Sequence, residues 1–390
     1  MTDKVFLKNE GKINIAYVLG SEERGGVEEH VLSLVKSVNT SEFRIFVVAS
    51  PGLIEAFGKD LSETSARVVP IKIRNVFDFS SMKIFHDFLR DNRIDIVNTH
   101  MFIASFYYSP VARLANVPIL IETSHGVEKW RLEKGFIKRK SFLIDRIYSY
   151  LQNRIIAVSR ACKNDLISIK GISPEKISVV QNGRNLDDFK PLTAEKRDQL
   201  RKQYELTAGD YIFGVMARLD FQKGHKYLFN AVKILSEKRK GFKVMVVGDG
   251  ILRNDLQCMV KDLGIERFVI FAGFQKDLPG YHGMMDVNIL PSLYEGLPLG
   301  LIEASAMEIP VIATDVDGTT EVIVDKKTGI LVPPKDSASL AGAMLYALDN
   351  KDVMRGMGKA GREYVLKQFS LERQIQETEL LYKQLMQRPK

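Results

Sequence analysis

The stretch Ile13–Ala49, INIAYVLGSEERGGVEEHVLSLVKSVNTSEFRIFVVA, decides the fold. Its two ends, Ile13–Leu19 and Phe43–Ala49, are short apolar runs that read as buried parallel strands. Between them Val27, Val31, Leu34, Val35 and Val38 fall on one helical face, so the stretch is a strand–loop–helix–strand unit of the βαβ kind. The same grammar continues outward through Ile94–Val97, Ile119–Ile121 and Ile155–Val158. It starts again with Tyr211–Met216, Lys243–Val247, Phe268–Phe271, Val287–Leu290 and Pro310–Ala313, separated by helical patterns such as Lys226–Lys238. At 390 residues the chain is long enough for two cores, and two Rossmann-like α/β domains are expected. The polar connector Asn185–Gln203, with Pro191, places the boundary near 190, giving domains 1–190 and 191–369. Residues 370–390 read as a final helix with Ile375, Leu380, Leu381 and Leu385 on an apolar stripe.

Composition excludes several classes. With 45% hydrophobic and 27% charged residues, and no short repeat, the chain is neither disordered nor a solenoid. Residues 1–10 lack the apolar core of a signal peptide and no run approaches a membrane span, so a cytoplasmic protein is expected. Cys162 and Cys258 form no Cys-x-x-Cys pair and predict neither a disulfide framework nor zinc. Residues 1–190 hold 28 Lys or Arg against 22 Asp or Glu, and the remainder 28 against 26, so +6 of the net +8 sits in the first half. That excess suits an anionic partner. From Lys129 to Arg154, eight basic residues against two acids are interleaved with Trp130, Phe136, Ile137, Phe142, Leu143, Ile144, Ile147, Tyr148 and Leu151. The segment fits an amphipathic helix at an anionic membrane, and equally a solvated helix that packs its apolar face inward. No nucleic-acid recognition motif accompanies the charge, so no nucleic-acid partner is expected.

Open α/β sheets bind ligands at the carboxyl ends of their strands, and unusual residues follow several of the predicted ones. Gly25 and Gly26 open the first helix, where paired glycines let a backbone approach a phosphate. His100 and His125 end two first-domain strands, without the spacing of a metal site. Arg218 and Lys223 follow Tyr211–Met216, a pair suited to a diphosphate, though in isolation it reads as a solvated basic loop. Val247-Gly248-Asp249-Gly250 lacks the third glycine of a dinucleotide fingerprint, which argues against an NAD or FAD enzyme. After Val287–Leu290 comes Pro291-Ser-Leu-Tyr-Glu295-Gly296-Leu297-Pro298-Leu299-Gly300-Leu-Ile-Glu303-Ala-Ser-Ala306, a loop running into a helix. Glu295 and Glu303 could be the acid and base of a hydrolase or acceptors for sugar and ribose hydroxyls. Asp315-Val-Asp317 reads as a loop feature.

Gly25-Gly26, Thr123-Ser-His125, Ala157-Val-Ser-Arg160, Asn182-Gly183, Arg218 with Lys223, Gly248-Asp-Gly250 and the Glu-x7-Glu element occur in an order that resembles the retaining glycosyltransferases of family 4. The resemblance implies the GT-B fold, two Rossmann-like domains facing across a deep cleft, with the last helix crossing back to the first domain. It implies Arg218 and Lys223 on the diphosphate of a nucleotide sugar, Glu303 on the ribose, and Glu295 with Gly296, Leu297, Pro298 and Leu299 on the sugar. Gly25 and Gly26 would approach the donor from the first domain, His125 would lie by the transferred sugar, and His100 is a candidate acceptor contact. Catalysis would rest on His125, Arg218 and Lys223, with no metal and no cofactor. The expected reaction moves a hexose, from a UDP-sugar before a GDP-sugar, to a glycan or lipid-linked glycan of a bacterial surface polysaccharide, with peripheral attachment at the inner face of the plasma membrane if the basic segment binds lipid. The rivals are a sugar-nucleotide epimerase or a phosphorylase of the same fold, and last a non-catalytic binding module.

Overall fold

The two βαβ series form two separate parallel sheets in the computed structural model, which describes residues 11–126, 138–207, 209–316 and 318–387. The chain divides into one unit of Met1–Gly183 with Leu371–Lys390, and another of Arg184–Ser370. The first unit holds β1 (Ile13–Leu19), β2 (Phe43–Ala49), β3 (Arg67–Pro70), β4 (Ile96–His100), β5 (Ile119–Ser124), β6 (Arg154–Ala157) and β7 (Ile177–Val179). The second holds β8 (Tyr211–Met216), β9 (Phe242–Val247), β10 (Val269–Gly273), β11 (Val287–Leu290), β12 (Val311–Thr314) and β13 (Gly329–Val332). Helices that bear on function are α1 (Gly26–Ser37), α2 (Met101–Leu114), α3 (Lys138–Ser149), α4 (His225–Lys238), α5 (Leu299–Ala306) and α6 (Leu371–Met386).

The sheet orders are β3-β2-β1-β4-β5-β6-β7 and β10-β9-β8-β11-β12-β13. In each the chain builds outward one way, returns, and builds outward the other way. The reversal leaves a crevice beyond the carboxyl ends of β1 and β4 in the first sheet, and of β8 and β11 in the second. Alternation along β1 shows why helices cover both faces: Ile15, Tyr17 and Leu19 enter one core with α1 and α6, while Ala16 and Val18 enter another with Phe85, Ala104 and Tyr108. In the second unit Phe213 and Val215 of β8 pack with Leu228 and Val232 of α4, and Ile212 turns to the other face.

The last helix belongs to the first unit. Tyr382 of α6 is fully buried, and its hydroxyl accepts from Asn98 Nδ2 at 2.8 Å and donates to the Tyr17 hydroxyl at 3.3 Å. Asn98 Oδ1 in turn accepts from the Thr123 hydroxyl at 2.9 Å. Leu380 departs from the predicted stripe: it is 57% exposed, because the inward face runs through Ile375, Thr378, Leu381, Tyr382 and Leu385 and Leu380 falls off it.

The division between Gly183 and Arg184 precedes residue 190, since Leu186 and Phe189 already pack with the Leu297–Met307 region. Strands β3, β7 and β13 were absent from the sequence reading. All three are sheet edges of three or four residues. Pro70 closes β3, which an edge tolerates and a central strand does not.

Candidate functional site

In the second unit the loops after β8 and β11 are stitched together at the sheet's reversal point. Leu293 donates its N–H to Gln222 O at 2.8 Å, and Gln222 Nε2 donates to Tyr294 O at 2.9 Å. Gly224 has φ +65°, and a Cβ there would lie 2.1 Å from Pro291 O, so only glycine lets the loop carrying Lys223 lie against the one carrying Glu295. The result is an ion pair of a half-buried lysine and a buried glutamate. Lys223 Nζ lies 2.6 Å from Glu295 Oε1, which also accepts from the Ser292 hydroxyl at 2.6 Å. An ammonium has three N–H donors, so the bond to Glu295 still leaves others for the oxygens of a ligand.

Arg218 is not drawn into this pair. Its side chain is 72% exposed and faces Asp220 at 3.2 Å, which leaves most of its guanidinium donors in solvent. Residues Gly296–Pro298 lead into α5, whose N-terminus has no side-chain cap, so the N–H groups of its first turn face out of the helix end. Glu303 sits one turn inside α5, 6% exposed, with Oε1 2.8 Å from Arg184 Nε and Oε2 3.6 Å from His282 Nε2. The Arg184 contact is an ion pair by distance, without the alignment of a hydrogen bond. The sequence reading stopped at Asn182-Gly183 and missed Arg184, whose charge is what makes a buried Glu303 affordable.

In the first unit the site residues follow β1, β4 and β5. Gly25 caps α1, and Glu28, buried one turn in, accepts the Gly25 N–H at 2.9 Å and the hydroxyl of Ser21. A Cβ on Gly26 would touch nothing within 4 Å, so packing inside this unit does not require a glycine there. His100 is 1% exposed and its Nδ1 lies 3.1 Å from His125 Nε2. The candidate acceptor contact is thus a buried partner of His125 in this structure. His30, which the sequence reading passed over, completes the group, with its ring 4.7 Å from that of His125 and nearly perpendicular to it. A polar residue one position before Val31, on the apolar side of α1, was the available signal.

Burial lowers the His30 pKa to about 4, and drives His100 and His125 well below the ordinary value, with neighbouring imidazoles adding to the effect. Burial, then Lys223, brings His225 to about 4. Folded, these rings refuse protons that the unfolded chain takes up below about pH 6.5. Their contribution to stability is therefore complete above that pH and is lost as the pH falls toward 4. Between pH 6.5 and 5, before most carboxylates titrate, unfolding free energy should drop by up to about 1.4 kcal/mol per pH unit for each ring. Denaturant melts across that window test this, and His30→Gln should make the slope shallower by one ring's share; an unchanged slope rejects the assignment.

In the basic segment, Phe142 and Asp145 of α3 turn inward, whereas Leu143, Ile144 and Ile147 are 54%, 44% and 55% exposed. Apolar residues therefore face outward on this helix. Trp130, Phe136 and Ile137 lie outside the described residues, as does Asp317 of the Asp-x-Asp pair, while Asp315 is exposed. Among the described residues no helix is long and apolar enough to cross a membrane. Cys162 is buried and Cys258 exposed, and both are free thiols.

Two family models divide the chain between them: Glycosyltransferase Family 4 matches residues 24–188, and Glycosyl transferases group 1 matches residues 196–364. An Escherichia coli relative, UDP-Gal:alpha-D-GlcNAc-diphosphoundecaprenol alpha-1,3-galactosyltransferase, is 28% identical over 385 residues, covering 95% of this chain and 97% of its own. A capsular polysaccharide biosynthesis glycosyltransferase of Staphylococcus aureus is 26% identical over 371 residues, covering 90% and 96%. Among solved structures, Anabaena HepE in complex with UDP superposes with a TM-score of 0.83 at 18% identity, over 95% of this chain and 100% of the other.

Proposed function

Since the chain belongs to the family 4 glycosyltransferases and has the GT-B fold, we propose that it transfers a hexose, with retention of configuration, from a UDP-sugar to a lipid-linked glycan in the making of a bacterial surface polysaccharide. The observation that carries this reading is the Lys223–Glu295 pair, at the carboxyl ends of β8 and β11 and beside the uncapped N-terminus of α5. Cations there can take the diphosphate, and the amides of the Gly296–Leu299 loop can take sugar oxygens. Glu303, held by Arg184, offers its remaining lone pairs to the ribose hydroxyls. UDP is favoured over GDP by the donor named for the Escherichia coli relative and by the UDP held in the Anabaena structure.

Glu295 is engaged by Lys223 and Ser292, and Glu303 by Arg184, which favours a same-face displacement over attack by either carboxylate. The bond from the anomeric carbon to the phosphate oxygen breaks as the acceptor oxygen bonds to that carbon. The acceptor's proton passes to the departing diphosphate, whose growing charge Lys223 and Arg218 stabilise. His125 contacts the sugar. No metal takes part, a reading supported by Lys223 and Arg218, two cations that can meet a diphosphate.

The lipid end of the acceptor would be met at an anionic membrane by α3, where exposed Leu143, Ile144 and Ile147 accompany the basic run from Lys129. The protein would then be cytoplasmic and peripheral. The test has two arms. UDP should raise the melting temperature more than GDP or ADP, since a ligand of the folded state stabilises it, and anionic vesicles should float the protein where neutral ones do not. A nucleotide-independent melt, or an epimerised sugar nucleotide as the product, overturns the transfer reading; equal flotation overturns the membrane reading.

A further inference from the structure

Gln374 of α6 ties together distant parts of the first unit. Its Oε1 accepts the N–H of Gly183 at 2.7 Å, which fixes the amide's orientation and aims its NH2 at Nδ1 of His30, 3.1 Å away. An amide nitrogen only donates, so His30 Nδ1 accepts and the single proton of the neutral ring lies on Nε2.

This decides what the histidine cluster is. One ring nitrogen from each of His30, His100 and His125 lies within 4.8 Å of the other two, a spacing that a metal ion could use. A ligating imidazole needs a lone pair toward the metal and normally donates its other N–H to an acceptor. His30 has the reverse arrangement: Nδ1 is occupied by Gln374 and Nε2 is protonated. It has no lone pair to give.

The remaining pair can be assigned the same way. His100 Nδ1 and His125 Nε2 share one hydrogen bond of 3.1 Å, and His100 Nε2 is buried without a partner among the described residues. A buried N–H without an acceptor is rarer than an acceptor without a donor. His100 therefore carries its proton on Nδ1 and donates it to His125 Nε2. The proton of His125 is then on Nδ1, and His30 offers no acceptor that could draw it aside.

We propose that Gln374 and His30, with His100, are positioning residues that hold His125 as the Nδ1–H tautomer, so that it presents one hydrogen-bond donor to an oxygen of the transferred sugar. The inference rests on the reading that His125 meets that sugar. Its first half, the tautomer chain, stands independently of substrate.

Gln374→Glu is the informative variant, because it keeps the length and the acceptor for Gly183 but replaces the donor with a carboxylate. His30 would then carry its proton on Nδ1 and turn a lone pair toward the other two rings. Nitrogen-15 imidazole spectra of the unmodified protein should show His30 protonated on Nε2 and both His100 and His125 on Nδ1. In Gln374→Glu the His30 signals should exchange character, and turnover should fall about tenfold, the worth of one hydrogen bond. The melting shift given by UDP should not change. A His125 proton on Nε2, or Co2+ binding by the unmodified protein, overturns the tautomer chain without touching the transfer reading. An exchanged His30 tautomer with full turnover overturns the positioning role.

Discussion

Lys223→Ala is expected to lower turnover about a hundredfold or more, in keeping with the loss of one charge-stabilising donor at a leaving group. The structure adds a second reason for a large effect. Lys223 Nζ is a cation 2.6 Å from a Glu295 side chain that is only 6% exposed, so the variant removes a charge that offsets a buried carboxylate as well as the charge proposed for the diphosphate. The two effects separate in the double variant Lys223→Ala/Glu295→Gln. The double variant should regain melting temperature, while its rate stays low because Glu295 too is proposed to meet the sugar. Near-normal turnover in Lys223→Ala would remove Lys223 from the mechanism. Arg218, more exposed and paired with Asp220 among the described residues, should cost less rate and almost no stability when replaced by Ala.

The largest stability effect is expected away from the donor site. Lys170 Nζ lies 2.7 Å from Asp145 Oδ2 with the two side chains 2% and 1% exposed, and it stands over the Phe102 ring at 5.2 Å. Asp145 is one of the inward residues of α3, so this ion pair anchors the basic helix to the rest of the unit. Lys170→Met should destabilise the protein by about 3 kcal/mol, because it takes a close cation from a buried carboxylate. Lys170→Met/Asp145→Leu should recover much of that loss, since replacing a buried ion pair whole by apolar groups is often close to neutral. Urea denaturation reads both. A single variant as stable as the parent would mean that water reaches the pair. If α3 carries the membrane contact, flotation on anionic vesicles should also weaken in the single variant at temperatures where the protein is still folded.

Strands buried on both faces declared themselves in the sequence as unbroken apolar runs, and β1, β2, β8 and β11 lie at the predicted residues. The edges β3, β7 and β13 did not, because a short strand with one neighbour need not be uniformly apolar. The donor-side loop was legible for a related reason. Glycines, a proline and acids in fixed order leave few structures open, and Lys223 and Glu295, 72 residues apart, meet because both follow strands flanking the reversal of the sheet. Arg184, His30 and Gln374 were not legible. Each acts through a partner distant in sequence, Glu303 for the first and one another for the other two, and spacing along one chain carries no trace of that.

The discontinuity of the first unit has a consequence for how the protein is made. Residues up to Gly183 leave the ribosome long before α6, yet Tyr382 is fully buried in their core and Gln374 bonds to their His30. During synthesis the early segment must wait, with apolar surface on β1 and α1 uncovered, while the whole of Arg184–Ser370 is translated and folds. Closing so long a loop is a slow, late event. The nascent chain would therefore be a client for chaperones through much of translation, and the Gln374 bonds to Gly183 and His30 would first exist only when the final helix docks.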